Sequence, residues 1–461
     1  MCRAAVTGRH EMGAEVLPPW APALPPTLAA RTLQVALEVA GRLRDRDRVG
    51  LAIEAAPNQT AFPLAVHWQA PTLAQGDAGF ALVCSYLDAC LPEGAWDRPG
   101  HAYLAAAGEA AELLPNLSAG MYSGLAGLAF AAWSLSRGAT RYRRLLTSID
   151  ALLLPRLAGQ AGRLTRVDGE GMSVGEFDVI SGCAGSGAYL LSRSDDPVAA
   201  AALEAVLRAF VALAGGDGPR PRWWTPARLL FDEETVAMYP HGNLNCGLAH
   251  GIPGPLTLLA LAFSRGIRVP GIEEAAERLA DWLVTNRADD TWGVNWPYSV
   301  PLTPEGLPDR SAKAYGPSRA AWCYGAPGVA RALWLAGAAF GRPVWRDLAI
   351  EAMQAVYRRP AAARNIDSPT FCHGVAGLLQ ITLRFAHDTR LPLFSEAAAD
   401  LTEWLLSAFE PDSLLGYRNW EPGGTRVDQP GLLDGAPGVL LSLLAASSVV
   451  EPAWDRVFLL S

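Results

Sequence analysis

The sequence predicts an all-α fold, a closed α/α toroid of seven inner and seven outer helices. Three observations carry that expectation. A Gly-x-x-Gly signature followed by an apolar run recurs at Gly76/Gly79, Gly124/Gly127, Gly182/Gly185, Gly251/Gly254, Gly325/Gly328, Gly374/Gly377 and Gly435/Gly438, in steps of 48 to 74 residues. Such internal repetition is the mark of repeat architectures, and seven copies do not arise by accident. Amphipathic patterns such as Glu274–Thr285 and Glu396–Ala408 lie between copies and read as half-exposed partner helices. Half of the 461 residues are hydrophobic and only 18% are charged, with Ala, Leu and Gly dominant, which favours helices around a large core.

Residues 1–30 read as a proline-rich N-terminal arm, and 31–461 as a single toroidal domain. The arm contains Pro18, Pro19, Pro22, Pro25 and Pro26 and no compact apolar segment of the secretory kind. A helical pattern is predicted over Thr32–Leu43, after which the glycine copies begin. The run behind each pair, such as Leu128-Ala-Phe-Ala-Ala-Trp or Val439-Leu-Leu-Ser-Leu-Leu, is apolar nearly all round and should be buried. Glycines at the helix entrance permit unusual backbone angles and close approach of a neighbour. An open solenoid needs polar capping repeats at its ends. The last copy is instead followed by an apolar tail, Val457-Phe458-Leu459-Leu460, so closure is the economical arrangement.

The uncharged stretch 242–264 is long enough to raise the question of a membrane span, but Asn243, Asn245, His250, Pro253 and Pro255 read as the lead-in to a buried helix. The balance of 38 basic and 46 acidic residues, net −8, argues against a nucleic-acid surface. Seven cysteines without a CxxC pair fit a reducing, cytoplasmic setting. Two long loops, 214–226 and 296–318, are rich in Pro, Gly and aromatics and fall where function is expected. Trp223, Trp224, Trp292 and Trp296 would line a peptide groove or pack in the core.

The chemistry concentrates before the fifth and sixth glycine pairs, in Trp322-Cys323-Tyr324-Gly325 and Phe371-Cys372-His373-Gly374. Two thiolates and an imidazole form a three-ligand set suited to zinc, with a fourth position left for water or substrate. The plainer alternative, for any one of them, is a buried cysteine acting as a small hydrophobe. Closure of the ring would bring Asp178, His250, Arg319, Cys323, Cys372 and His373 to one mouth.

The stretches SPTFCHGVAGLL (368–379), SRAAWCYGAPGVA (318–330), NLNCGLAHGIPGPL (243–256) and FDVISGCAG (177–185) resemble the signatures of lanthionine synthetase C-like cyclases, over roughly residues 70 to 445. The resemblance implies an α/α toroid with a central zinc held by Cys323, Cys372 and His373. It also implies addition of a peptide cysteine thiol to dehydroalanine or dehydrobutyrine, forming a thioether ring. His250 would be the general acid or base that supplies the enolate's proton, imidazole having a pKa near operating pH. Asp178 would orient His250 or cap the following helix. Arg319 would stabilise the enolate or pair with a loop carboxylate, and Tyr324 would hydrogen-bond in the site or pack there. His241 reads as structural or as a support to the site residues. The implied partners are a ribosomal precursor peptide, already dehydrated, and a separate dehydratase; a membrane-peripheral assembly is compatible with the lack of a spanning segment. Two rival readings are a zinc thiol-transferase that adds glutathione to dehydroamino acids and a non-catalytic peptide-binding scaffold.

Overall fold

The computed structural model describes residues 19–63, 66–114, 116–166, 169–216, 218 and 220–461. Helices α1 (Pro26–Arg44) and α2 (Arg46–Gln59) precede the repeats. Behind each glycine pair runs an inner helix: α3 (Asp77–Cys90), α5 (Leu125–Ser134), α7 (Cys183–Ser192), α10 (Pro253–Ser264), α12 (Ala326–Ala339), α14 (Val375–Thr389) and α16 (Ala436–Ser447). Outer helices alternate with them: α4 (Asp97–Glu112), α6 (Arg143–Leu164), α8 (Pro197–Ala214), α11 (Ile272–Thr285), α13 (Pro343–Arg358) and α15 (Pro392–Ser407). The inner helices are buried on all sides, as in α16, where every residue from Ala436 to Ala446 is buried. The outer ones bury a single stripe, in α11 Ile272, Ala275, Ala276, Leu279, Ala280 and Leu283. By length and composition α8 alone among the described helices would cross a membrane; here its Leu203, Val206, Leu207, Phe210 and Leu213 are buried. The uncharged stretch 242–264 becomes the short strand β1 (Asn243–Asn245) and the buried α10.

Each inner helix packs on the next, and α16 packs on α3, which closes the ring. No outer helix follows α16; α1, from the other end of the chain, packs against it as the seventh outer helix. The arm expected over residues 1–30 lies outside the described residues up to 18. Where described, it gives way to α1 at Pro26, earlier than the predicted start at Thr32, because consecutive prolines at 25 and 26 suit a first helical turn whose N–H groups need no partner.

Two features stitch neighbouring repeats together. The first is a closed circuit of backbone hydrogen bonds among the loops before the inner helices. Ala74 N–H donates to Tyr122, Tyr122 to Ile180, Val179 to Ala249, Ala249 to Cys323, Cys323 to Cys372, Cys372 to Leu433, and Leu432 back to Ala74, all at 2.7–3.2 Å. Backbone groups at buried loop positions are thereby satisfied without a sheet. The second feature is the close approach that the second glycine of each pair permits. A Cβ on Gly185 would lie 2.0 Å from Val179 O and 2.8 Å from the Met121 Cβ of the preceding repeat. The contact that closes the circle is looser, a Cβ on Gly79 standing at an ordinary 3.5 Å from the Cβ of Leu432 and excluded instead by Leu73 O at 2.5 Å.

The apolar tail forms a buried 3₁₀ turn, Ala453–Phe458, that fills the axis of the ring. Tyr122 Oη and Trp322 Nε1 donate to the carbonyls of Val457 and Phe458 at 3.1 and 3.0 Å. The Phe458 ring packs on Phe371, Trp322 and Tyr122. The central hole is therefore a packed core, and the loops at the glycine end form a floor with one open face.

Candidate metal centre

The residue two before each first glycine contributes its backbone to the hydrogen-bonded circuit, and the residue one before follows it at the mouth. Around the ring the former are Ala74, Tyr122, Ile180, Ala249, Cys323, Cys372 and Leu433; the latter are Gln75, Ser123, Ser181, His250, Tyr324, His373 and Asp434. Cys323 and Cys372 thus occupy equivalent positions in adjacent repeats, joined by the Cys323 N–H to Cys372 carbonyl bond of 3.2 Å. Their sulfurs and a nitrogen of His373 all lie within 4.8 Å of one another. Gly325, at φ +89°, makes the tight turn behind Cys323, where a Cβ would strike the Arg319 carbonyl at 1.7 Å.

The donor set fits a soft divalent cation. Cys323 is buried, while Cys372 and His373 are part-exposed, so the cluster is open on one side. The Cys372 thiol is pushed well above its ordinary pKa, first by its hydrogen bond with Cys323, then by burial and by the charges of Cys323 and Asp434, with Arg319 acting the other way. Two thiolates this close repel each other, and a bound cation offsets that repulsion.

Asp178 and His250 meet from different repeats. Asp178 Oδ2 lies 2.6 Å from His250 Nδ1, while Oδ1 accepts the N–H groups of Ser181 and Gly182 at 2.7 and 2.8 Å. The one buried carboxylate faces His250 and ties down the loop ahead of α7, whose N-cap Gly182 has no side-chain cap bond. An Nδ1–H donated to Asp178 leaves Nε2 as the nitrogen free to exchange a proton. The imidazole lies between Phe231 and Tyr324, with ring centroids at 5.6 and 6.3 Å.

Tyr324 connects this pair to the remaining site residues. Its hydroxyl accepts from Asn245 Nδ2 at 3.2 Å, and burial pushes its pKa up, so it stays a neutral donor. Its ring packs on Tyr298 at 5.0 Å, and the Tyr298 hydroxyl accepts from Arg319 Nε at 3.0 Å. Arg319 is bonded there to a tyrosine rather than to a loop carboxylate. Pairing of β1 with β2 (Ser299–Pro301) carries Tyr298 into the mouth, using the long 296–318 loop.

All seven predicted site residues are therefore linked through contacts at one end of the ring. Sequence reasoning missed Asn245, Tyr298, Phe231 and Asp434. Asp434 had a signal, since it holds the position of His373 in the next repeat; the other three depend on pairings between loops. Of the tryptophans, Trp223 and Trp296 are buried core, Trp296 donating to Leu283 O at 2.8 Å. Trp224 borders a cavity of about 540 Å³ together with Arg166, Arg220 and Arg222. His241 is exposed beside β1. On the His373 side, Arg319, Asp367, Asp434 and Trp420 line a further cavity of about 460 Å³.

Residues 67–459 match the family described as lanthionine synthetase C-like protein. Nisin biosynthesis protein NisC of Lactococcus lactis subsp. lactis is 25% identical over 273 residues, which is 58% of this chain and 62% of the relative. The match thus spans about three fifths of that relative's length. Among solved structures, nisin cyclase superposes with a TM-score of 0.70 at 20% identity, over 95% of this chain and 98% of its own, a likeness of fold.

Proposed function

We propose that this chain, which belongs to the lanthionine synthetase C-like family, is a zinc-dependent cyclase that closes thioether rings in a dehydrated peptide. The observation that carries the reading is the convergence of the Cys323, Cys372 and His373 donors with the Asp178–His250 pair at one mouth. The names of the similar proteins, a nisin biosynthesis protein and a nisin cyclase, support a ring-forming reaction on a peptide.

Cys323, Cys372 and His373 would hold the zinc, which supplies Lewis acidity that makes a peptide thiol ionisable near neutral pH. The reaction then forms one S–C bond at the β-carbon of the dehydroamino acid, moves the alkene pair toward the α-carbon and carbonyl, and requires one proton at the α-carbon. His250 Nε2 delivers that proton, with Asp178 holding the imidazole in the required tautomer. Arg319 and Tyr324 donate toward the enolate oxygen, where charge develops. The thiol proton lost and the α-proton gained balance, so no oxidant or further reactant is needed. The alkene must be made beforehand by a dehydration of Ser or Thr, which we assign to a separate enzyme. Six described cysteines, all unpaired, support a reducing compartment.

The test is metal content together with thiol loss from a dehydrated precursor, for wild type, Cys323→Ala and Cys372→Ala. About one zinc per chain in the wild type, absent from both variants along with ring closure, is the expected result. Ring closure at the wild-type rate by Cys372→Ala would overturn the mechanism. Consumption of glutathione in place of the peptide thiol would redirect it to a thiol-transferase.

A further inference from the structure

We propose that Asp434 is a positioning residue for His373, its carboxylate taking the Nδ1–H of the imidazole and leaving the other ring nitrogen unprotonated for the cation. The inference rests on the three-ligand zinc reading and deepens it. Asp434 occupies in the seventh repeat the position that His373 occupies in the sixth. The two loops are joined by the N–H groups of Phe371 and Cys372, which donate to Leu433 O at 3.0 and 2.9 Å. That backbone contact delivers Asp434 Oδ1 to 3.6 Å from His373 Nδ1.

The same oxygen, Oδ1, is buried and has no hydrogen-bond partner among the described residues. Leaving a buried polar group unsatisfied is costly, more so for a charged one, so this carboxylate oxygen is poised to accept a donor from His373. His373 Nδ1 is the titratable nitrogen paired with it, and a shift of under an ångström would bring 3.6 Å into hydrogen-bond range. An imidazole that ligates a metal through one nitrogen commonly donates its other N–H to a carboxylate, which sets both tautomer and ring orientation. Asp178 and His250 show such a carboxylate–imidazole pairing at 2.6 Å two repeats away.

The experiment measures zinc affinity by chelator competition on the full-length wild type, Asp434→Ala, Asp434→Asn and Asp434→Glu, with the melting temperature of each metal-stripped protein. Affinity is expected to fall about 10–100-fold in Asp434→Ala, less in Asp434→Asn, which keeps an acceptor oxygen, and to recover in part in Asp434→Glu. The metal-stripped Asp434→Ala protein should melt no lower than wild type, because removing an unsatisfied carboxylate leaves no partner behind. Wild-type affinity in both Asp434→Ala and Asp434→Asn would overturn the proposal and leave the three-ligand site standing. Equal loss of affinity and of metal-free stability would overturn it in favour of a structural role. A wild type that binds no zinc would overturn the three-ligand reading, and this proposal with it.

Discussion

The second and sixth repeats share one backbone and differ in what that backbone presents. A Cβ on Gly127 or on Gly377 would meet the carbonyl six residues earlier, Met121 or Phe371, at 2.0 Å in both. Tyr122 and Cys372 each donate their N–H to the following repeat, to Ile180 O and Leu433 O at 3.1 and 2.9 Å. Yet the second repeat uses this position for a tyrosine whose hydroxyl anchors the axial plug at Val457 O, and follows it with an exposed serine. The sixth uses it for a thiol of the Cys323, Cys372 and His373 cluster, followed by an imidazole. The difference teaches that the ring is a scaffold of seven equivalent pairs of positions, and that chemistry is a local choice of two side chains per repeat. Clustering the chosen ones in repeats four to six is what turns a symmetric frame into a single site.

If that separation is right, function and frame break independently. The largest expected effect is on function, in His250→Ala. Loss of the proton donor should slow ring closure about 10²–10⁴-fold, while zinc per chain stays at the wild-type level. Zinc lost together with activity would mean that the fourth repeat belongs to the metal-holding unit. Next comes the frame. Gly127→Ala and Gly377→Ala should each lower the stability of the metal-stripped protein by about 3 kcal/mol in denaturant unfolding, since each clash is with backbone and not with the end of a flexible side chain. Similar losses in a repeat with ligands and one without would sharpen the comparison. A loss confined to Gly377→Ala would break it.

Much of this was legible in the sequence for a physical reason. In six of the seven copies a carbonyl of the repeat's own loop lies 2.0–2.5 Å from where a Cβ on the second glycine would stand, so the ring leaves a glycine at a fixed offset, and the candidate ligands stand at constant distances from it. Cys323, Cys372, His373 and His250 could be aligned on that offset alone. What was not legible depends on contacts between distant segments. The seventh outer helix is α1, which precedes the first repeat by some fifty residues and shares no pattern with α16. The tail around Phe458 reads as apolar, which does not distinguish a ring closure from a plug. Tyr298 enters the mouth only because β2 pairs with β1, a register of three residues inside a long irregular loop. Asp434 was legible in principle from its offset, but an aspartate before a helix is most often a cap, and nothing local distinguishes the two.

Asp178 separates the two jobs of one carboxylate at a smaller scale. Asp178→Asn keeps an oxygen for the N–H groups of Ser181 and Gly182 but gives up the charge facing His250. Asp178→Ala gives up both. Loss of a hydrogen bond to a charged group corresponds to about 10–100-fold in rate. Both variants should therefore fall in ring closure by about that factor. Only Asp178→Ala should also lose about 1 kcal/mol of stability, the ordinary net contribution of a hydrogen bond. Equal stabilities would mean that Oδ1 does not hold the loop ahead of α7.

The smallest effect is expected where the frame is present and the chemistry is not. Ser123 stands where His250 and His373 stand in their own repeats, immediately before a first glycine. It is exposed and makes no described side-chain hydrogen bond. Its neighbour Tyr122 carries the structural work, through the backbone bond to Ile180 and the hydroxyl bond to the plug. Ser123→Ala should therefore change stability by less than about 0.5 kcal/mol, the usual range for an uncommitted surface position. Ring closure should stay at the wild-type rate. A drop in closure rate with stability unchanged would instead mean that the peptide runs across the mouth to the second repeat. The inactive arc of the ring would then be part of the substrate path, and the local choice of residues at repeats four to six would be only its reactive segment.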